Sequence, residues 1–183
     1  PFAERVPYAE TFSFLIEPLK WGVGISGWGK GEDQIVYRTQ TRAGDELRFS
    51  GMVCYESVYP NFVREFVNRG AQLLLVITND SWWGNTSGAY QHAAFASFRA
   101  IENRRWVVQC ANGGISTFVD QLGVTRVSSE MYTPARIVNE IVPSNEITFY
   151  AKHGDVVAQF CLFCSALFLI IALRKKFLSK PHE

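Results

Sequence analysis

Cys54 is the side chain in this sequence best placed for covalent chemistry. It ends an apolar run that begins at Leu47, and Tyr55-Glu56-Ser57 and a predicted helix follow it. A thiol at a strand-to-helix turn stands exposed at the end of a sheet. Nearby amides and a helix N-terminus there stabilise a thiolate and a developing oxyanion. Two other readings of Cys54 stay open. It could be an ordinary buried cysteine, or it could pair with Cys110, which would consume the nucleophile. A cysteine nucleophile needs a base and a charge partner. His92 falls within a predicted helix and His153 beside an apolar tail, and neither has a spacing that demands catalysis. Glu4 and Glu56, taken alone, read as surface charges or hydrogen-bonded structural acids. No Cys/His pair has ligand spacing, so no metal is expected, and no cofactor. The run Asn79-Asp80-Ser81-Trp82-Trp83-Gly84-Asn85-Thr86-Ser87-Gly88 follows an apolar stretch. It reads either as a packed surface turn or as a loop beside a site, with indoles that line an apolar or acyl-binding groove.

The elements that would carry these residues alternate. Leu47 to Cys54 is expected to be a strand running into a turn, and Tyr59 to Asn68 a helix with Pro60 in its first turn and Gly70 past its end. Leu73 to Thr78 reads as a buried strand and Tyr90 to Arg104 as a helix. Strands are expected at Trp106 to Ala111, Ser116 to Val119, Val124 to Val127 and Arg136 to Val142, with a turn at Gln121-Leu122-Gly123. Such alternation predicts an α/β sheet with helices packed on it. Residues 1–45, rich in Pro, Gly and aromatics around Trp21 to Gly29, are expected to have little regular structure.

Val156 to Leu173 carries no charged side chain, and Arg174, Lys175 and Lys176 follow at once. Eighteen helical residues span roughly 27 Å, close to the ~30 Å of a bilayer core. Phe149 and Tyr150 sit where interfacial aromatics would. A transmembrane helix is expected, with its basic end cytoplasmic and residues 1 to about 155 on the opposite, periplasmic face.

Composition narrows the classes. With 48% hydrophobic and 19% charged residues in 183, the chain is neither disordered nor low-complexity. Its net charge of +1 makes nucleic acid an unexpected partner. Four Cys are too few for a disulfide scaffold.

Gly51-Met52-Val53-Cys54-Tyr55-Glu56, Asn79-Asp80-Ser81-Trp82-Trp83-Gly84 and Gln91-His92 resemble the apolipoprotein N-acyltransferases. These are a membrane-embedded branch of the nitrilase (carbon–nitrogen hydrolase) superfamily. Pro1-Phe2-Ala3-Glu4-Arg5-Val6-Pro7, Arg99-Ala100-x-Glu102-Asn103, Asn112-Gly113-Gly114-Ile115-Ser116 and Tyr150 to Asp155 fit in order. The resemblance implies a nitrilase-like αββα sandwich, residues 1–150 forming its C-terminal part. A juxtamembrane segment (151–155), a transmembrane helix (156–173) and a cytoplasmic basic tail (174–183) would follow. It implies acyl transfer from a phospholipid to the amino group of a diacylated apolipoprotein at the bacterial inner membrane, by a monomer that is multi-pass at full length.

By the same resemblance Cys54 is the thioester-forming nucleophile and Glu4 an additional essential acid. Tyr55 and Glu56 flank the nucleophile, with the Tyr55 amide holding the oxyanion. Trp82 is the tryptophan of a mobile loop that also carries Trp83 and Asn79. The base Glu and the Lys of the family's Glu–Lys–Cys set lie upstream of the Pro-Phe-Gly-Glu segment. These 183 residues alone are therefore expected to be inactive and to fold poorly. Gln109 stands where the family often has Arg. A membrane-tethered amidase that passes its acyl group to water, and a non-catalytic anchored domain, are the alternative readings.

Overall fold

The computed structural model describes residue 31 and residues 33–178, without the side chains of 176–178. Glu4, the Trp21 to Gly29 segment and the Pro1 to Pro7 motif lie outside the described residues. The chain divides into two units, Pro1–Lys152 and His153–Glu183.

Among the described residues the first unit is built on a six-stranded sheet in sequential order. Its strands are β1 (Val36–Gln40), β2 (Glu46–Val53), β3 (Leu73–Asn79), β4 (Trp106–Asn112), β5 (Thr117–Val119) and β6 (Thr125–Ser128). The middle strands β2, β3 and β4 are parallel; β1 joins β2 and β5 joins β4 antiparallel, and β6 pairs antiparallel with β5. Parallel neighbours need crossover helices. Helix α1 (Pro60–Asn68) links β2 to β3, and α2 (Ser87–Asn103) links β3 to β4.

Period-two alternation puts Met52, Leu74, Val76, Val107 and Val119 into one core with Val63, Phe66, Val67, Ala96 and Ala100 from the helices. Val53, Ile77 and Cys110, on alternate positions, are exposed. The described residues thus give a mixed sheet with helices covering one face, as expected for part of a nitrilase-like α/β fold. Helix α1 starts with Pro60 in its first turn and ends where Gly70 takes φ +94° and Ala71 donates to the Phe66 carbonyl at 2.9 Å. Helix α2 buries Ala89, His92, Ala96, Arg99, Ala100 and Asn103 along one stripe. The short alanines let its axis lie close to the sheet. A short helix α3 (Phe149–His153) buries Ala151, whose carbonyl accepts from Arg64 and Asn68.

Three expectations are corrected. Arg136 to Val142 is not a strand, although Ile137, Asn139 and Ile141 alternate in burial with exposed neighbours. Main-chain groups along and just beyond it bond to side chains rather than to a ladder. Gln121 donates to the Val142 carbonyl at 3.0 Å, and Arg105 to the Glu146 carbonyl at 2.6 Å. Within residues 1–45, Val36–Gln40 is a regular edge strand, because five residues of β2 pair with it. Helix α2 begins at Ser87 rather than Tyr90, since Thr86 is extended and only the residue after it turns helical.

In the second unit, α4 (Val156–Leu178) is a helix of 23 residues. Its Val156–Lys175 stretch is the one helix among the described residues long and apolar enough to cross a membrane, and none of its most apolar window is buried.

Candidate active site

The parallel strands β2, β3 and β4 all end on one edge, where α/β folds place their ligands. Cys54 follows β2, Asp80 follows β3, and Gly113-Gly114 follow β4. Three of the sequence motifs therefore meet at one place.

Cys54 opens a 3-10 turn, Cys54–Val58, directly after the extended Val53. Its φ is +52°, the left-handed region that side chains seldom enter. Such a conformation costs of order 1–3 kcal/mol and persists where the surroundings impose it. The surroundings are visible. Ser57 Oγ donates to the Cys54 carbonyl at 2.9 Å, and the Val53 amide donates to Glu56 Oε2 at 2.7 Å. Arg99 Nη1 donates to the Val58 carbonyl at 3.1 Å and closes the far end of the turn. Cys54 is 5% exposed, so the thiol expected to stand exposed at the end of the sheet is buried there, and both it and Cys110 are reduced cysteines.

His92 lies at the centre of this edge, wholly buried. Its Nδ1 is 3.0 Å from Asp80 Oδ1, which also accepts from Thr78 Oγ1 at 2.8 Å. Its Nε2 is 3.2 Å from the Cys54 carbonyl and 3.3 Å from Ser57 Oγ. The Tyr55 ring stacks on the imidazole at 5.5 Å, and Trp83 leans on it at 5.8 Å.

The second turn, Ser81–Trp83, is pinned at its start. The Asp80 amide donates to the Asn112 carbonyl at 2.9 Å. Asn79 Oδ1 accepts from Ser81 Oγ at 2.7 Å and from Asn112 Nδ2 at 3.0 Å. Tyr132 Oη donates to the Ser81 carbonyl at 3.0 Å. The two indoles separate in role. Trp82 is 61% exposed, while Trp83 packs between Tyr55, His92 and the first turn of α2. Gly88 permits that packing, since a Cβ there would clash with Cε3 and Cζ3 of Trp83. Beyond β4, a Cβ at Gly114 would come within 2.7 Å of Asp80 Cβ, so glycine allows that close approach.

The structure thus brings Cys54, Tyr55, Glu56, Asn79 and Trp83 to one edge, with Trp82 exposed on the same turn. His153 belongs to the other unit. Gln109 is buried on β4 and donates to the Ile115 carbonyl at 3.2 Å, which fixes the loop after Gly113-Gly114.

Sequence reasoning missed the joint role of Asp80, His92, Ser57 and Arg99. One signal was present: His92, Arg99 and Asn103 fall on the same helical stripe as Ala89, Ala96 and Ala100. Polar residues on a buried stripe must find partners.

Burial shapes two arginines, Arg99 beside the Cys54 turn and Arg105 just before β4, at the opposite edge of the sheet. Burial lowers the pKa of Arg99, and neighbouring Glu102 and Tyr150 partly offset it. Arg105 is lowered to about 10 by burial, and the charge of Arg48 adds to this while Glu146 opposes it. Among the described residues, no group of three His, Cys, Asp or Glu is arranged to hold a metal ion. The arrangement suits nucleophilic chemistry by a thiol on a constrained turn, with an indole-rich turn beside it.

Comparison with known proteins places this edge in context. The carbon–nitrogen hydrolase family profile matches residues 3–146. An apolipoprotein N-acyltransferase of Chlorobaculum tepidum is 40% identical over 178 residues, 96% of this chain and 33% of that protein. One from Geobacter metallireducens is 34% identical over 176 residues, 96% of this chain and 32% of that protein. The chain spans about a third of the length of these curated relatives. Among solved structures, an amidase from Nesterenkonia sp. AN1 is 23% identical with a TM-score of 0.48, covering 58% of this chain and 41% of that one.

Proposed function

This chain belongs to the carbon–nitrogen hydrolase family, and on that premise we propose that it carries the nucleophile of a phospholipid-dependent lipoprotein N-acyltransferase. The observation that carries the reading is Cys54 in a left-handed turn at the end of β2, within a chain 40% identical to an apolipoprotein N-acyltransferase.

In the first half-reaction the Cys54 thiolate attacks an ester carbonyl of the phospholipid. A C–S bond forms, the C–O bond to glycerol breaks, and the leaving alkoxide takes a proton to give a lysophospholipid. In the second, the free α-amino group of the diacylglyceryl-cysteine attacks the thioester. A C–N bond forms, the C–S bond breaks, and the amine proton returns to the thiolate. Storing the acyl group on sulfur lets the first product leave before the acceptor binds, which gives ping-pong kinetics. The Tyr55 amide, next to the nucleophile, holds the tetrahedral oxyanion. Glu4 acts as an additional essential acid, Glu56 braces the turn, and Trp82 with Trp83 and Asn79 forms the substrate-facing loop. A base Glu and a Lys, the other members of the family's catalytic set, complete the site with Cys54.

Helix α4 spans the bacterial inner membrane, with Arg174, Lys175 and Lys176 on the cytoplasmic side and the Cys54 domain periplasmic. Its 23 residues reach about 35 Å, enough for a ~30 Å hydrocarbon core. Anchoring holds two lipid substrates and the thiol at one interface, which raises their effective concentration. The full-length protein acts as a monomer.

The test is transfer of a labelled acyl chain from phospholipid to a diacylated lipopeptide by the full-length protein. Amide-linked product is expected with native Cys54 and none with Cys54→Ser. Equal transfer by the Cys54→Ser protein, or label released only as free fatty acid, sinks the proposal.

A further inference from the structure

We propose that His92 is a positioning residue for the nucleophile turn, and that it acts by fixing the Cys54–Tyr55 peptide plane from a foothold on Asp80. The inference rests on the reading of Cys54 as the acyl-carrying thiol.

The ring is wholly buried on the alanine stripe of α2, where an unpartnered imidazole would be costly. Every part of it is engaged. One edge meets Asp80, itself tied by Thr78. The other edge meets the Cys54 carbonyl and Ser57 Oγ. The Tyr55 ring stacks on the imidazole and Trp83 leans on it. His92 therefore links the Cys54 turn, the Trp82-Trp83 turn and α2 through a single side chain.

The consequence follows from peptide geometry. The Cys54 carbonyl and the Tyr55 N–H belong to one planar trans unit and point in opposite directions. No cis peptide interrupts the described backbone. Whatever grips the carbonyl therefore aims the amide. A left-handed Cys54 needs that grip, because the turn would otherwise relax its φ of +52°. His92 and Ser57 take hold of the carbonyl from the buried side, which leaves the Tyr55 N–H directed away from them. The two ring nitrogens face two acceptors, Asp80 Oδ1 and the Cys54 carbonyl, so the brace engages both edges when each nitrogen carries a proton. Its loss should weaken transition-state stabilisation while leaving substrate binding alone, so it should appear in kcat and spare KM.

Two isosteres separate the edges of the ring. In His92→Asn the amide nitrogen replaces Nδ1, keeps Asp80 and abandons the Cys54 carbonyl. In His92→Gln the amide nitrogen reaches the Nε2 position and restores a donor to that carbonyl. The experiment measures single-turnover acylation of the full-length protein across phospholipid concentrations, with thermal unfolding of each variant and Cys54→Ser alongside. His92→Asn is expected to lower the saturating rate by about 10²-fold, the scale of losing one oxyanion donor, with the half-saturating lipid concentration unchanged. His92→Gln is expected to recover to within about threefold of native, even where its unfolding midpoint falls as far as that of His92→Asn.

Equal loss in both variants, a loss that tracks the unfolding midpoint, or a change in half-saturation alone overturns the proposal. If Cys54→Ser abolishes acylation while His92→Asn runs at full rate, the brace is wrong and the thioester reading stands. If Cys54→Ser acylates normally, the thioester reading fails and the brace fails with it.

Discussion

Single residues at this site divide into those whose types announce chemistry and those whose surroundings give them a part. Cys54, Tyr55, Glu56, Trp82 and Trp83 belong to the first group, and their motif was legible in the sequence. His92 and Asp80 belong to the second. A histidine in a predicted helix carries no sign of what faces it, and twelve residues separate it from the carboxylate it meets. The left-handed φ of Cys54 was equally hidden, because backbone strain leaves no trace in residue type. Away from the site, Asp120 gives a prediction at this scale. Burial alone would raise its pKa, but amides of Val124 and Leu122 and the Arg126 guanidinium outweigh it and hold it below the usual carboxylate value. A depressed native pKa stabilises the fold above the unfolded value of about 3.9. That contribution is lost as the pH falls through the native value. Asp120→Asn should flatten the acid limb of the stability curve, read as thermal midpoint against pH. An unchanged acid limb would contradict the assignment.

Elements were more legible than their edges. The strand and helix sequence from β2 to β6 follows directly from period-two and period-3.6 patterning. The false strand at Arg136 to Val142 shows the limit of patterning. Alternation reports that one side of a segment faces the protein, but pairing needs a free strand edge at the right place. Here Gln121 takes the Val142 carbonyl, at the end of the segment, that a ladder would have used. Helix α2 is the element on which the site depends. It supplies His92 to the Cys54 carbonyl, Arg99 to the Val58 carbonyl, and through Gly88 the floor beneath Trp83. Gly88→Ala should therefore displace Trp83 or the first turn of α2, at about 1–3 kcal/mol for overpacking. The expected readouts are a lower unfolding midpoint and altered tryptophan fluorescence. An unshifted midpoint with native fluorescence would show that the indole does not rest on this turn.

At the scale of the whole molecule, the chain joins an α/β unit to an apolar helix, and the two were readable for different reasons. The helix showed itself by composition alone, since eighteen residues without charge leave no polar face. The fold family was readable because several short motifs fall in one order along the chain, which no single thiol could establish. The central claim is that Cys54 carries the acyl group between two lipid substrates. Intact mass measurement of the full-length protein after incubation with phospholipid, beside Cys54→Ser, tests it most directly. A fatty-acyl adduct is expected on the native protein, one that hydroxylamine removes and that the variant lacks. A folded native protein without an adduct, or the same hydroxylamine-labile adduct on Cys54→Ser, would contradict it.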